Sequence, residues 1–363
     1  MNEQSDGSPR KTALIVKFGQ IGDVIMAIPA ADSLHRQGFE IDWLCGRAVL
    51  PLLACYSWIH PIPADDRAIF HGSAISRARA VTALWAAIGL KRYDLCATLY
   101  YDRRYRLLTL PVRAGRKRML SMRVREATLL PGRHHTDEFV RILLQREDGC
   151  QMDSAPPVRP DRLPLSPLKP KTAPRRIAIV PGAASNLLHR QVLGLEPESL
   201  RRWPIESYRA LAKRLVERGW EVVLLGGPDE AWVRPHFLET TVTDCIGQLS
   251  LPEVVSVCDS CDAVISNDTG PLHLAGLSEV PLVGIFGPTD PAMRIPRRPL
   301  SVGIWGGQGF ACRPCYDGAN FAPCQFNGCM HQVTPEIVLR ELDRLLNAKA
   351  QGIPSPWRIT FPE

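Results

Sequence analysis

The sequence predicts an α/β protein of two doubly wound, Rossmann-like domains facing one another across a cleft. Three observations predict it. The chain has 363 residues, longer than a single hydrophobic core usually grows. Short apolar runs alternate with amphipathic helical segments in both halves, the order that builds parallel sheets with right-handed crossovers. A proline-rich stretch, residues 151–174, separates the two series and reads as an extended linker. The expected division is a domain at 1–160, a linker at 161–175, a second domain at 176–349 and a tail at 350–363.

The first strand expected is Ala13–Lys17, a short apolar run ending in a glycine turn. A helix follows from Asp23 to about residue 37, with Val24, Ile28, Ala31 and Leu34 at helical spacing. Phe39–Leu44 and Leu95–Tyr100 read as further strands. Beyond the linker, Arg176–Val180 is a strand and Ile205–Arg218 an amphipathic helix closed by Gly219. Strand Glu221–Leu225 runs into Gly226-Gly227-Pro228. A short helix near Pro252–Cys258, a strand at Ala263–Ser266, a helix from Pro271 and a strand at Pro281–Phe286 continue the alternation. A cysteine-rich loop, Cys312–Cys329, and a helix from Pro335 to about Lys349 complete it.

Composition narrows the setting. Hydrophobic residues are 45% and charged residues 22% of the chain, and no apolar run is long enough to cross a bilayer. The polar start MNEQSDGSPRKT does not read as a secretory signal, so a cytoplasmic protein is expected. The eleven cysteines should then be mostly free thiols, with Cys45, Cys96 and Cys258 acting as small hydrophobes. Net charge is +7, and residues 101–133 hold ten Lys or Arg against Asp102 and Glu126. That excess suits a solvated face or an anionic partner.

Three turns carry candidate chemistry. Lys17-Phe18-Gly19-Gln20-Ile21-Gly22-Asp23 joins the first strand to its helix. Its glycines, Gly19 and Gly22, permit a tight turn beside a helix N-terminus, and Asp23 is either a cap or a base. It is not the dinucleotide fingerprint, which needs a third glycine. Ser266-Asn267-Asp268-Thr269-Gly270-Pro271-Leu272-His273 repeats the strand-to-helix geometry. Asp268 or Thr269 caps the helix there, or the segment cradles a pyrophosphate. Gly287-Pro288-Thr289-Asp290-Pro291 is a turn after the next strand.

Taken in order with Val180–Ala183, Arg202-Trp203-Pro204 and Leu225–Glu230, these segments resemble glycosyltransferase family 9, the bacterial heptosyltransferase family. The resemblance implies a GT-B fold and metal-independent, inverting transfer. The donor is a nucleotide-diphosphate sugar, ADP-heptose in the best-known members, and the acceptor the inner core of lipopolysaccharide or a related glycan. By the same resemblance Asp23 is the general base on the acceptor side, where Gly19 and Gly22 shape the loop. Arg201 stands where the family has a phosphate-contacting lysine, after a local insertion at residues 187–196. Asp268, Thr269, Gly270 and His273 match the diphosphate-binding segment. Asp229 and Glu230 lie where a carboxylate would meet the donor ribose. An acidic glycolipid acceptor would suit the basic stretch and implies peripheral contact with the inner membrane surface.

The cysteine loop has the spacing Cys312-x2-Cys315-x8-Cys324-x4-Cys329, which is able to supply four thiolates to a structural zinc or to remain as thiols. Such a site would be closed and hence not catalytic, so no cofactor is required. Two other classes are weighed. A nicotinamide-dependent oxidoreductase lacks its fingerprint here. Nucleic-acid binding lacks aromatics interleaved with the basic stretch. A non-catalytic nucleotide-sugar binder remains the third alternative.

Overall fold

The computed structural model describes residues 11–362 apart from 103, 122, 125–126, 131, 146–155, 184–199, 317–320, 323 and 325. The expected insertion at 187–196 lies outside the described residues. The chain forms two compact units: Met1–Leu130 with His135–Ala155 and Pro160–Arg162, and Pro131–His134 with Pro156–Arg159 and Leu163–Glu363.

The first unit runs β1 (Lys11–Val16), α1 (Ile21–His35), β2 (Phe39–Gly46), α2 (Leu50–Leu53), β3 (Ile59–Ala64), α3 (Asp66–His71), α4 (Ala74–Ile88), β4 (Arg92–Thr98), α5 (Arg104–Leu108), β5 (Arg113–Met119) and α6 (His135–Leu144). Its strands form a parallel sheet in the order β3-β2-β1-β4-β5. Both faces are covered, so the central strands are apolar throughout rather than alternating. One face buries Leu14, Val16, Leu44 and Cys96 against Val81, Leu84 and Ile88 of α4 and Leu108 of α5. On the other, α1 packs against α6.

The second unit runs β6 (Arg176–Val180), α7 (Ile205–Glu217), β7 (Glu221–Leu224), a 3₁₀ segment at Pro228–Phe237, β8 (Thr243–Asp244), α8 (Leu251–Asp259), β9 (Ala263–Asn267), α9 (Gly270–Gly276), β10 (Leu282–Phe286), β11 (Ser301–Trp305), α10 (Gly328–His331), α11 (Pro335–Gln351) and β12 (Arg358–Thr360). The seven-stranded sheet has the order β12-β11-β10-β9-β6-β7-β8, every pair parallel. Trp203, Tyr208 and Leu211 pack on one face with Leu342 and Leu346 of α11; Leu272, Ala275 and Val257 pack on the other.

Residues 350–363 differ from the expected tail. Arg358–Thr360 pairs with β11 as an edge strand, and Arg358 ties back to the fully buried Glu341 of α11. The cause is a buried carboxylate that needs cations, which Arg344 and Arg358 supply.

From residue 156 to 175 the proline-rich stretch has no regular structure, and it is strapped along its length. Asp161 accepts from the amide of Ser57, Arg159 pairs with Asp259, and Lys171 with Asp262. Glu221 accepts from the amides of Thr172 and Ala173 and from Arg176. Burial pushes the Glu221 carboxyl up, but these donors outweigh it and hold it down at about 2, against an ordinary 4.5. Its stabilisation is therefore complete above pH 4.5 and lost as the pH falls toward 2. Glu221→Gln is expected to cost on the order of 1–2 kcal/mol at neutral pH. Denaturant midpoints of wild type and variant should converge in acid, and an equal gap at both pH values would contradict the assignment.

Candidate active site

Both candidate constellations sit where strand order reverses, at the carboxyl ends of the strands on either side of the switch. In open α/β sheets that crevice is where ligands bind.

In the first unit the switch lies between β1 and β4. The chain leaves β1 at Lys17 and enters α1 at Ile21, turning through Gln20 in the left-handed region at φ 61°. A Cβ built on Gly19 would meet nothing within 4 Å, so the turn is open there. Gly22 lies within the first turn of α1. Asp23 is not the cap: Gln20 holds that position, without a side-chain hydrogen bond. The Asp23 carboxylate instead turns back to Lys17, with Nζ 2.9 Å from Oδ2. Lys17 is 2% exposed and Asp23 22%, so a buried ammonium holds a carboxylate that reaches solvent. Tyr100, just past β4, covers the same ammonium with its ring at 4.6 Å. Trp43 donates from Nε1 to the Lys17 carbonyl and fixes that backbone. Sequence reasoning included Lys17 in the motif and missed its role. The available signal was one lysine closing a strand that is otherwise apolar.

In the second unit the switch lies between β6 and β9. Asn267, fully buried at the end of β9, clamps it. Its amide donates to the carbonyls of Pro181 and Gly182 beyond β6, at 3.1 and 3.0 Å. Its carbonyl accepts the amide of Trp203 at 3.0 Å, while the Trp203 indole donates to Val333. Arg201 thus leaves a firmly anchored segment, and its Nη1 donates to the carbonyl of Asp268 at 2.9 Å.

Asp268 points inward and is 1% exposed. Its Oδ2 accepts from the Thr289 hydroxyl at 2.7 Å and lies 4.0 Å from Arg201. Its Oδ1 is buried with no hydrogen-bond partner among the described residues. Burial pushes this carboxyl up, but Arg294, Arg201 and His273 outweigh burial and leave it below the usual range. Arg294, three residues beyond Asp290-Pro291, is a second cation that sequence reasoning did not single out. Thr269 occupies the cap position of α9 without a side-chain capping bond, its hydroxyl donating instead to the Asn267 carbonyl, Gly270 begins the helix, and His273 is buried in it. Asp290 caps the short 3₁₀ turn Pro291–Met293.

Asp229 is exposed, whereas Glu230 is folded in. Glu230 accepts from the Gly227 amide at 2.7 Å, and its carboxylate lies over Gly182 and Gly226 so closely that a Cβ at either would collide with it. Burial raises the Glu230 carboxyl above its ordinary range. Arg202 stacks on Trp232 at 4.2 Å rather than reaching outward.

The spacing of the cysteine loop allows a structural zinc or free thiols. Among the described residues no group of three or more His, Cys, Asp or Glu side chains is placed to hold a metal ion. Cys312, Cys315, Cys324 and Cys329 are free thiols. The loop uses them itself: Asn327 donates its amide to Cys324 Sγ, and Cys329 donates to Asn327 Oδ1. Burial, with the neighbouring thiols Cys315, Cys324 and Cys312, pushes Cys329 up to about 12.

No helix among the described residues is long and apolar enough to cross a membrane. Comparison with known proteins identifies the family. The family model for glycosyltransferase family 9 (heptosyltransferase) matches residues 133–322, just over half of the chain. Lipooligosaccharide heptosyltransferase 2 of Haemophilus ducreyi is 25% identical over 353 residues, covering 92% of this chain and 99% of its own. The structure of ADP-heptose lipopolysaccharide heptosyltransferase II of Escherichia coli superposes with a TM-score of 0.67 at 20% identity, covering 94% of this chain and 99% of that one. Heptosyltransferase WaaC of E. coli, solved with ADP, gives 0.64 at 18% identity, covering 92% and 99%. These likenesses establish the GT-B fold, and they displace the oxidoreductase and nucleic-acid alternatives. With the family model spanning more than half its length, the chain belongs to glycosyltransferase family 9, and it is a glycosyltransferase.

Proposed function

We propose that this enzyme transfers heptose from ADP-heptose to a lipopolysaccharide-core or related glycan acceptor, with inversion at the anomeric carbon. The observation that carries the reading is the Asp23 carboxylate held by the buried Lys17 ammonium at a topological switch point. Within this family, that is the equipment of an acceptor-side base. Asp23 takes the proton of an acceptor hydroxyl as that oxygen attacks the anomeric carbon. The bond from that carbon to the diphosphate breaks, and ADP departs with the electron pair. Arg201 and Arg294 offset the charge that develops on the leaving group. Thr269, Gly270 and His273 line the same segment. Asp268 is itself an anion and so acts through the two guanidinium groups it gathers rather than on the diphosphate. Asp229 is the carboxylate offered to the donor ribose, and Glu230 shapes the turn that presents it. No cofactor takes part, and the acceptor is a glycan borne on the cytoplasmic face of a membrane.

Calorimetric titration of the purified protein with ADP, UDP, GDP and NAD tests the donor. ADP is expected to bind preferentially, and transfer from ADP-heptose to a delipidated core acceptor should be detected by mass spectrometry. Preference for UDP or GDP would replace the donor, and failure of every nucleotide to bind would overturn the reading.

A further inference from the structure

The sequence from Asp66 to Asp94 holds no acid between those two residues, and neither does the stretch from Asp102 to Glu126. The fold brings the two stretches together. Arg92, the first residue of β4, lies directly across from Arg113, the first of β5. The Trp85 indole of α4 donates to the carbonyl of Leu107 on α5. β5 is the last strand of its sheet, and it carries Arg113, Arg116 and Lys117 exposed along that edge. None of these three, nor Arg92 or Arg106, forms an ion pair among the described residues.

Edge strands often carry cations simply to discourage pairing with another strand. Two features go beyond that. Like charges facing each other across a ladder, as Arg92 and Arg113 do, are unfavourable unless an anion lies between them. Exposed leucines also cluster at the same end: Leu90 is 81% exposed, Leu110 66% and Leu107 50%. Strand protection has no use for them. Val124, 48% exposed and next to Arg123, lies past the other end of β5. Apolar tips therefore stand at both ends of a stripe of cations with no acid in it. That alternation complements an apolar layer beneath anionic headgroups.

We propose that the β5 edge of the first unit docks on an anionic phospholipid bilayer, with Leu90, Leu107 and Leu110 entering the interface and Arg113, Arg116 and Lys117 meeting headgroup phosphates. The inference deepens the proposed reading, resting on it for a membrane-borne acceptor, and it names the surface that meets the membrane. The stripe has no aromatic residues for base stacking, and its cations are flanked by exposed leucines, which favours a lipid surface over nucleic acid.

Flotation with phosphatidylcholine vesicles, with and without phosphatidylglycerol at roughly a third of the lipid, tests it. Wild type should float only with the anionic vesicles and be released by high salt. Each surface cation is worth about fivefold, so Arg113→Gln/Arg116→Gln/Lys117→Gln should weaken binding about a hundredfold. Leu90→Ser/Leu107→Ser/Leu110→Ser should weaken it at least about tenfold. Both variants should keep wild-type ADP binding and transfer to the soluble acceptor, which separates failure of this inference from failure of the donor reading. Wild type that ignores anionic vesicles, or variants that bind them as tightly as wild type, would overturn the proposal. So would retention on nucleic acid in place of vesicles.

Discussion

Asp23→Asn is expected to lower kcat about a thousandfold while leaving ADP affinity within about twofold of wild type. The asparagine keeps the shape of the side chain and cannot accept the acceptor proton. Nucleotide binding should not change, because the residues assigned to the diphosphate belong to the second unit. Lys17→Met is the companion experiment. It removes the ammonium 2.9 Å from Asp23 and leaves a side chain of similar length in the buried site. Losing that partner leaves the carboxylate unheld in the turn, so kcat should fall while ADP affinity is kept. Lys17→Arg should restore much of the loss. Stopped-assay rates across the pH range, beside calorimetry with ADP, check all three variants. More than a tenth of wild-type kcat in Asp23→Asn would remove Asp23 from the role of base.

Arg201→Ala and Arg294→Ala are each expected to lower kcat/KM by about a hundredfold to a thousandfold, with weaker ADP binding. The two should be less than additive. Both guanidinium groups act on the buried Asp268 carboxylate, so removing one redistributes the other's interactions. Arg201→Lys should keep more activity than Arg201→Ala, since an ammonium still neutralises charge although it loses the guanidinium fork. Measuring kcat/KM for the singles and the double closes the cycle. Full activity in Arg201→Ala would move the leaving-group site elsewhere.

The alternation of β1, β2, β4, β6, β7, β9 and β10 with α1, α7 and α11 was legible because those strands are largely buried and each carries a short apolar run, interrupted in β2 by Glu40 and Asp42 and preceded in β4 by Arg92 and Asp94. What escaped lies at sheet edges, except β11, Ser-Val-Gly-Ile-Trp, which pairs with both β10 and β12 and whose serine and glycine interrupt its apolar run. β3 is Ile-His-Pro-Ile-Pro-Ala, and two prolines argue against a strand except at an edge, which is where it sits. β5 is Arg-Ala-Gly-Arg-Lys-Arg-Met, whose charge hides its extended backbone. β12 is three residues long and looked like a tail. At the candidate sites, the resemblance pointed to Asp23, Arg201 and the Asp268–His273 segment. It did not reveal that Asp268 faces inward or that Glu230 is folded over Gly182, because direction is set by packing rather than by residue type. Lys17 and Arg294 were hidden for the complementary reason. Each gains its partner only when the turn is built, so the lone lysine after an apolar strand marks Lys17 as unusual without naming Asp23 as its partner. The cysteine spacing leaves a structural zinc and free thiols both open, because spacing measures chain length, whereas a metal site needs side chains converging on one point.

The Asn267 clamp has a thermodynamic consequence. Its bonds to the β6 loop and to Trp203 exist within the fold itself, so the backbone that carries Arg201 is ordered before any nucleotide arrives. Little ordering entropy is then left to be lost on binding, and affinity should depend mainly on charge neutralisation and contacts. A ligand series differing only in phosphate charge should accordingly vary in enthalpy and salt dependence, while its heat-capacity change stays small and nearly constant.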